Sequence, residues 1–251
     1  MTLDQFFKEH PRAALAFSGG VDSAYLLWAG VRAGAEVRPY FVKTPFQPQF
    51  ELEDARRLCA QLGVELAVIR FDVLTAPEVA ANPSDRCYHC KKRLFTLLRE
   101  RAAADGFPVP LDGTNASDDA GDRPGMRALR ELEVRSPLRE YGLTKGRIRE
   151  LSRQAGLFTW DKPSYACLAT RVPTGRTITR DDLEKVERGE EALSGLGFWD
   201  FRLRLTGNGC KLQVTENQIP LALNRRTDIL TALESDFSEI TLDLRPRAVK
   251  D

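Results

Sequence analysis

The stretch Ala13-Ala14-Leu15-Ala16-Phe17-Ser18-Gly19-Gly20-Val21-Asp22-Ser23 predicts a buried strand, a glycine turn and the start of a helix. The two glycines let the backbone take positive φ and approach a ligand without Cβ clashes. Unpaired N–H groups at the start of the helix, together with the helix dipole, attract phosphate. Ser18 and Ser23 can supply hydroxyl donors, and Asp22 can hold a cation beside the phosphates. The stretch therefore predicts a site for nucleotide pyrophosphate, with an ordinary strand-to-helix turn as the alternative.

The turn differs from the commonest phosphate-binding loop. A Walker A motif places Lys and then Ser or Thr directly after its glycines. Here Val21 and Asp22 occupy those positions. The nucleotide site therefore belongs to another class of loop.

Further strand candidates follow the turn at a spacing typical of an α/β protein. After Ala13–Phe17 they are 36–43, 64–71 and 108–112. Helical stretches alternate with them and start near Asp22, Phe50 and Lys91. This order predicts a doubly wound, mostly parallel sheet, with ligands bound at the carboxyl ends of the strands.

The loop after the fourth strand begins with Asp112 and Gly113 and should lie at the same edge as the glycine turn. Carboxylates at that edge can hold Mg²⁺ against phosphates. Asp112, at the end of the strand, is the better candidate. The loop residues Asp118, Asp119 and Asp122 are explained equally well as solvated turn residues.

A different pattern begins near residue 173, so we expect a domain of residues 1–172 and a smaller α+β domain of residues 173–251. Its elements are a helix at 181–196, strands at 201–205, 211–214 and 240–244, and a helix at 224–233. Arg202 and Arg204 lie on one face of the first of these strands. Two adjacent guanidiniums favour a bound anion such as phosphate. A solvated polar strand face is the alternative.

Composition agrees with an enzyme of the cytoplasm. The chain has 251 residues, with 37 basic and 36 acidic side chains and a formal charge of +1. This balance gives no overall field toward nucleic acid or an acidic membrane. No export signal or apolar run long enough to span a membrane is recognisable.

The five cysteines divide into two groups by local pattern. Cys59 lies at helical spacing among apolar residues, and Cys210 alternates with apolar residues on a strand, so both are expected to pack in the core. Cys87 and Cys90 instead follow a turn-rich segment, and two residues between them allow both sulfurs to bind one metal. Cys167 lies in a segment of little regular periodicity.

Three ligating or nucleophilic sulfurs leave several explanations open. A zinc site normally needs a fourth Cys or His, and a redox pair needs only two thiols. A 4Fe-4S cluster held by three thiolates would leave one iron open for sulfide or substrate. In the remaining alternative, Cys167 is structural and the pair Cys87 and Cys90 forms a redox or chance motif.

The motif Ser18 to Ser23 resembles the PP-loop signature of the ATP pyrophosphatase superfamily, whose HUP-like enzymes adenylate a substrate and release pyrophosphate. The whole chain resembles one branch, the LarE family of ATP-dependent sulfur transferases, which serve biosynthesis of the nickel-pincer nucleotide cofactor. Besides the PP-loop, the resemblance rests on segments 111–113, 123–125, 135–138, 160–163, 170–175 and 242–244.

The resemblance implies ATP and Mg²⁺ as cofactors, and a pyridinium mononucleotide whose carboxylate is adenylated and becomes a thiocarboxylate. It implies that Asp22 serves the ATP site and binds its Mg²⁺. The other residues that it implies for ATP binding are Ser18, Gly19, Gly20, Val21, Ser23, Asp112 and Gly113. The residues that it places in the substrate region are Lys91, Thr170, Arg171, Glu190, Arg202 and Arg204, with the two strand arginines on the nucleotide phosphate. It also suggests a homo-oligomer.

One departure from the family pattern concerns the source of sulfur. Members that sacrifice their own cysteine have it at the position of Ala166 and lack a pair that matches Cys87 and Cys90. This chain resembles the other subtype, in which Cys87, Cys90 and Cys167 would hold a 4Fe-4S cluster that receives an additional sulfide. The sulfide donor is then a separate partner.

Two other functions remain as alternatives. A tRNA thiolation enzyme would share the PP-loop and the three cysteines, but the chain shows no basic surface or appended RNA-binding module, so nucleic acid is not the expected partner. A non-enzymatic regulator that binds nucleotide or metal would bind ATP without releasing pyrophosphate.

Overall fold

The computed structural model describes residues 2–118 and 124–248. Contacts divide the chain into two compact units, Met1–Val73 with Asp85–Lys162, and Leu74–Ser84 with Pro163–Asp251. The second unit is therefore formed by two separate segments of the chain. The functional boundary expected between residues 172 and 173 stays a prediction.

The first unit contains a four-stranded parallel sheet with helices before and between its strands. Its elements are α1 (Leu3–Glu9), β1 (Arg12–Ala16), α2 (Val21–Arg32), β2 (Glu36–Lys43), α3 (Gln49–Leu62), β3 (Ala67–Arg70), α5 (Arg86–Ala104), β4 (Val109–Leu111), α6 (Pro124–Glu131), α7 (Pro137–Glu140) and α8 (Lys145–Gln154). The strand order is β3-β2-β1-β4. All three pairings are parallel, with Leu15 of β1 opposite Pro39 on one side and Leu111 on the other.

Helices cover both faces of this sheet because alternate residues of β1 point in opposite directions. Ala13 and Leu15 belong to a core cluster that includes Phe6 of α1 and Leu26 of α2. Ala14 belongs to a different cluster on α5, with Leu98 and others. The predicted doubly wound α/β fold is thus confirmed, and it brings the glycine turn to the carboxyl edge of a central strand.

The second unit is a smaller α+β structure. Its elements are α4 (Pro77–Ala80), α9 (Arg180–Gly195), β5 (Arg202–Thr206), β6 (Gly209–Gln213), α10 (Ile219–Asn224), α11 (Arg226–Leu233) and β7 (Ile240–Leu242), with a 3₁₀ turn at Leu168–Arg171. β6 lies between antiparallel β5 and parallel β7. Hydrogen bonds join its two segments, since Asn82 Nδ2 donates to the carbonyl of Pro173 at 2.8 Å and Ile178 N donates to that of Ala80.

Several boundaries differ from the sequence-based expectation. The helix expected from Lys91 begins at Arg86, so Cys87 and Cys90 lie within α5 and not before it. The helix expected over 224–233 is divided at Arg225 into α10 and α11. In the part of the chain that the structure describes, no helix is long and apolar enough to cross a membrane.

Candidate active site

The glycine turn after β1 is held by its own serines. Ser18 Oγ accepts a hydrogen bond from Gly20 N at 3.3 Å and lies 3.2 Å from Ser23 Oγ. Ser23 Oγ also donates to the carbonyl of Gly20 at 3.1 Å. Gly20 is the N-cap of α2, and because it has no side chain the first-turn N–H groups stay open to a ligand.

Only glycine fits at position 19. Its φ is +72°, in the left-handed region that favours glycine. A Cβ at this position would lie 3.1 Å from the carbonyl oxygen of Glu51 and 3.2 Å from Ala55 N. The turn therefore passes directly against the first turns of α3, which fixes its shape for a phosphate ligand.

Asp22 follows the turn and is half-buried between two partners from distant parts of the chain. Lys145 Nζ donates to its Oδ2 at 2.5 Å, and Asn115 Nδ2 donates to its Oδ1 at 3.3 Å. Burial raises the pKa of Asp22, the carboxylate of Asp118 acts in the same direction, and Lys145 and Asn115 oppose the rise. A Mg²⁺ ion held by Asp22 would favour its charged form in the same way as Lys145 does.

The loop after β4 packs against the start of α2. A Cβ on Gly113 would lie 3.0 Å from Ser23 N, so this loop and the PP-loop are in direct contact. Asp112 is buried, and it accepts hydrogen bonds from Thr114 Oγ1 at 2.5 Å and from Ser136 Oγ at 2.6 Å. Asp112 thus shapes the loop, whereas Asp22 presents its carboxylate at the edge. Asp119, Asp122 and Arg123 lie outside the described residues.

Cys87 and Cys90 lie in the first two turns of α5. They are three residues apart, so they lie on one face of the helix. Cys87 is exposed and Cys90 is half-buried. The buried side chain of Arg86 donates from Nη2 to Cys87 Sγ at 3.7 Å, so a guanidinium lies directly beside this sulfur.

Lys91 follows the thiol pair and extends over α6. A Cβ on Gly125 would lie 3.1 Å from Lys91 Cδ and 3.3 Å from its Cε. The stem of Lys91 therefore lies directly on the backbone of Gly125. This contact holds the side chain of Lys91 close to α6.

Two of the other cysteines, Cys59 and Cys210, pack in the core as the sequence predicts. Cys59 and Cys210 are buried, and burial raises the pKa of each thiol to about 12. Cys167 is half-buried in the second unit and is the N-cap of the 3₁₀ turn. Within residues 2–118 and 124–248, no group of three His, Cys, Asp or Glu side chains is arranged to hold a metal ion.

A cluster of arginines occupies the second unit. Arg202 Nη2 donates to the carbonyl of Ser164 at 2.5 Å, and Arg204 donates from Nε to Gln213 at 2.6 Å. Arg247 Nη2 donates to Asp200 at 2.9 Å, while its buried Nε has no hydrogen-bond partner among the described residues. An unpaired donor of this kind suits an anion.

Burial weakens the hold of Arg202 and Arg204 on their protons. Burial lowers the pKa of Arg202 to about 10, and the positive charges of Arg171 and Arg247 add to this effect. Burial, Arg171 and Arg247 likewise lower the pKa of Arg204. A bound phosphate would remove this electrostatic repulsion, because its negative charge stabilises each guanidinium.

Arg171, Glu190 and Thr170 form a connected group in the second unit. Arg171 and Glu190 make a two-pronged ion pair, with Nε to Oε1 at 2.8 Å and Nη2 to Oε2 at 3.0 Å. Arg171 Nη1 donates to Thr170 Oγ1 at 2.9 Å. Arg204 Nη1 donates to the carbonyl of Thr170 at 2.6 Å. All four residues are among those that the family resemblance implies for the substrate region.

Four further residues at these sites were not predicted from the sequence. They are Asn115, Lys145, Tyr165 and Arg247. Lys145 is the first residue of α8, directly after the capping Thr144, and the cap predicts only a helix start. Asn115 and Tyr165 lie in irregular segments, where spacing carries no signal. Arg247 follows β7 by five residues and pairs with Asp200, just before β5, only in the folded unit.

No family model matches the chain. The chain is 36% identical over 218 residues to the uncharacterized protein slr1717 of Synechocystis, which covers 86% of this chain and 81% of that protein. It is 30% identical over 246 residues to the pyridinium-3,5-bisthiocarboxylic acid mononucleotide synthase of Lactiplantibacillus plantarum. This match covers 97% of this chain and 89% of that protein. A tRNA-specific 2-thiouridylase of Corynebacterium diphtheriae is 30% identical over 125 residues, a match that covers 41% of this chain and 34% of that protein.

Proposed function

We propose that this chain, which belongs to the LarE family of PP-loop ATP-dependent sulfur transferases, converts a carboxylate of a pyridinium mononucleotide into a thiocarboxylate. The observation that carries the proposal is the presence of two separate anion sites in one chain. One is the glycine turn with Asp22, which suits the phosphates of ATP. The other is the arginine cluster of the second unit, which suits the phosphate of a mononucleotide.

The name of the Lactiplantibacillus relative points to the substrate. Its product carries two thiocarboxylates on a pyridinium ring, so the oxygen counterpart is pyridinium-3,5-dicarboxylic acid mononucleotide. Such a molecule offers a phosphate for Arg202 and Arg204 and a carboxylate for adenylation. We propose that Thr170, which is bonded to Arg204, and Lys91 also belong to the substrate region.

The reaction balances without oxidation or reduction. A carboxylate oxygen of the substrate attacks the α-phosphorus of ATP, the bond to the β-phosphate oxygen breaks, and pyrophosphate leaves. The N–H groups at the start of α2 stabilise the charge that develops on the departing phosphates. Hydrosulfide then attacks the acyl carbon, AMP leaves with its oxygen, and the sulfur loses its proton. The products are a thiocarboxylate, AMP and pyrophosphate.

Asp22 is the residue that we propose for Mg²⁺. Its carboxylate is partly exposed beside the turn, and carboxylate oxygen is the ligand that Mg²⁺ prefers. When bound, the ion neutralises phosphate charge. Lys145, which contacts the same carboxylate, would supply a second positive charge beside the phosphates. Asn115 continues to orient Asp22 from its other side.

For the supply of sulfur we propose Cys87, Cys90 and Cys167 as ligands of a 4Fe-4S cluster. Their chemistry fits the group, because these three thiols are at least partly accessible while Cys59 and Cys210 are buried. A cluster held by three thiolates leaves one iron that can bind sulfide. Ala166 occupies the position of a sacrificial cysteine, so the sulfur comes from an external sulfide donor. We further propose a homo-oligomer that acts in the cytoplasm in nickel-pincer cofactor biosynthesis.

The decisive experiment uses the full chain purified without oxygen. Incubation with ATP, Mg²⁺, sulfide and pyridinium-3,5-dicarboxylic acid mononucleotide should yield pyrophosphate and thiocarboxylate, measured by a coupled assay and mass spectrometry. Asp22→Asn should abolish both, whereas Asp4→Asn, an exposed residue in α1, should leave both unchanged. Pyrophosphate release that does not depend on the mononucleotide would overturn the proposed substrate.

Iron and labile sulfide in the same preparation test the cluster separately. We expect about four iron atoms per chain and their loss in Cys87→Ala, Cys90→Ala and Cys167→Ala. Zinc without iron, or full repeated turnover in all three variants, would contradict the cluster. Iron should persist in Cys59→Ala, because that thiol packs in the core of the first unit.

A tRNA thiolation activity is the second candidate, favoured by the similarity to the 2-thiouridylase. It predicts pyrophosphate release that depends on tRNA and weakens steeply as salt is raised. Absence of tRNA-dependent release would exclude it. A nucleotide-binding regulator would bind ATP and release no pyrophosphate with either substrate.

A further inference from the structure

We propose that Glu190 is a positioning residue that fixes the distance between the phosphate-binding arginines and Cys167. The inference rests on the proposed function, because that function assigns the phosphate to Arg202 and Arg204 and makes Cys167 one of the ligands of the cluster that delivers the sulfur. It changes the role of Glu190 itself, from a residue that lines the substrate to one that acts through its neighbours.

The carboxylate of Glu190 has no oxygen to spare for a substrate. Its Oε1 accepts from Arg171 Nε at 2.8 Å and from Leu203 N at 2.9 Å. Its Oε2 accepts from Arg171 Nη2 at 3.0 Å and from Tyr165 Oη at 2.5 Å. A carboxylate has about four acceptor positions, and these four donors fill them.

The pair is also out of contact with solvent. The side chain of Arg171 is 0% exposed and that of Glu190 is 7% exposed. A substrate would have to displace buried hydrogen bonds to reach either group, which leaves a buried charge without its partner. Direct substrate contact is therefore unfavourable at this carboxylate.

One hydrogen bond connects Glu190 to the strand that carries the phosphate-binding arginines. Leu203 lies on β5 between Arg202 and Arg204, and its N–H is donated to the carboxylate. The hydrogen bond fixes the strand at the point from which both arginine side chains leave. The position of the phosphate is thereby tied to Glu190.

Other hydrogen bonds connect Arg171, the partner of Glu190, to the backbone around Cys167. The remaining nitrogen of Arg171, Nη1, donates to the carbonyl of Ala166 at 2.9 Å and lies 3.5 Å from that of Cys167. Thr170 holds the same Cys167 carbonyl through its N–H at 3.0 Å and its hydroxyl at 2.9 Å. The backbone that carries Cys167 is therefore held by the partner of Glu190.

The ring of Tyr165 connects the two sides. Its centroid is 4.6 Å from Arg171 Cζ and 5.3 Å from Arg202 Cζ, and its hydroxyl donates to Glu190. Cation–π contacts with both guanidiniums orient the arginines around one rigid ring. Glu190, Arg171 and Tyr165 together form a network that keeps the phosphate anchor and the sulfur residue at one separation.

A loosened network should separate adenylation from sulfur transfer. If the acyl-adenylate is not held at the sulfur, water attacks the acyl carbon, and AMP leaves with regeneration of the carboxylate. Pyrophosphate is then released without thiocarboxylate. Small errors in the placement of reacting groups lower rates by up to about a hundredfold, so the ratio of the two products reports the positioning.

The test measures thiocarboxylate formed per pyrophosphate released in the anaerobic full-length enzyme. Glu190→Gln should lower this ratio about tenfold or more, and Tyr165→Phe, which removes one hydrogen bond and keeps the ring, should lower it by a smaller factor. The matched control is Glu191→Gln, an exposed neighbour on α9, which should keep the wild-type ratio. An unchanged ratio in a folded Glu190→Gln enzyme that still releases pyrophosphate would overturn the inference.

Other outcomes are also informative. If Glu190→Gln does not fold, as judged by circular dichroism, Tyr165→Phe decides alone, and a wild-type ratio in it counts against the network. A substrate contact at Glu190 would instead raise KM for the mononucleotide and leave the ratio unchanged, which also contradicts positioning. Failure of the proposed function is distinct, because wild-type enzyme would then release no mononucleotide-dependent pyrophosphate.

Discussion

Lys145 Nζ lies 2.5 Å from Asp22 Oδ2, although 123 positions separate the two residues in the sequence. The side chains are 11% and 21% exposed, so the ion pair is formed in a region of restricted solvent access. Because the pair lies beside the PP-loop, we expect the lysine and the carboxylate to act on the same phosphates. Lys145 is thus an additional cation at the site, delivered by α8.

Lys145→Met should lower the rate of pyrophosphate release by about a hundredfold, the usual effect of removing one preorganised charge from such a site. The variant also leaves Asp22 without its cation, which raises the pKa of that carboxyl further and weakens its hold on Mg²⁺. Arg147→Gln changes an exposed residue of the same helix and should stay within about twofold of wild type. Equal rates of pyrophosphate release in the two variants would show that Lys145 does not act at the ATP site.

Gly113→Ala should weaken ATP binding and lower the free energy of unfolding by about 1–3 kcal/mol, because its Cβ would meet Ser23 N at 3.0 Å. Gly146→Ala is the matched control. It lies in α8, where a Cβ meets no atom of the described residues within 4 Å, and should stabilise the helix by up to about 1 kcal/mol. Thermal unfolding and ATP titration measure both effects. Equal changes in unfolding temperature and in ATP affinity for the two variants would contradict the contact of Gly113 with Ser23.

Labelling of the metal-free protein with iodoacetamide at pH 8 should modify Cys87 first, because its thiol is exposed. Cys59 and Cys210 should stay unmodified, since burial raises the pKa of both thiols to about 12 and leaves almost no thiolate. Peptide mass spectrometry gives the order. Modification of all five thiols at one rate in urea provides the unfolded reference, and the same uniform rate in native protein would contradict the assignment.

Arg247→Gln should weaken binding of the mononucleotide by at least about tenfold, because a charge-assisted hydrogen bond to phosphate contributes roughly 1.5–3 kcal/mol. The expectation follows from its buried Nε, which has no partner in residues 2–118 and 124–248. Arg226→Gln, in an exposed position of α11, should bind as wild type does. Calorimetric titration measures both affinities. Unchanged binding in Arg247→Gln would place the phosphate elsewhere.

Mononucleotide binding should have an alkaline limit. The pKa of Arg202 is lowered to about 10, so the guanidinium is charged at neutral pH and loses its proton as the pH rises through that value. Bound phosphate favours the charged form, hence affinity should be constant from about pH 7 to 9 and fall near pH 10. Arg202→Gln should bind weakly throughout and show a smaller fall. An affinity that stays constant to pH 11 would contradict this pKa.

Much of the first unit follows from its sequence. The apolar run before Gly19 and the regular alternation of strands and helices predict the parallel sheet, because buried parallel strands read as continuous apolar segments. Short helices are less visible: α7 has four residues and begins with Pro137, so periodicity has too few turns to register. The start of α5 was missed for a related reason. Its first residues, Arg86 to Cys90, are polar or half-buried and show no apolar stripe.

Side-chain partners were harder to predict than elements. Spacing places Arg202 and Arg204 on one strand face, but it does not predict that they donate to the carbonyls of Ser164 and Thr170. The pairing of Asp22 with Lys145 depends on how α2 and α8 pack against each other, which local sequence patterns do not record. The same holds for Tyr165. Its ring contacts the guanidiniums of Arg171, in the 3₁₀ turn, and of Arg202, in β5, which only the fold brings together.

The two-segment construction of the second unit has a consequence for how the chain is made and changed. Asn82 is synthesised 91 residues before Pro173, the residue whose carbonyl it holds. The second unit therefore cannot complete its contacts until most of the first has left the ribosome. It also cannot be transplanted between proteins as one continuous piece, because a fragment that starts at Pro163 lacks the hydrogen bonds of Ala80 and Asn82. A transplant of this unit would have to carry the segment Leu74–Ser84 as well.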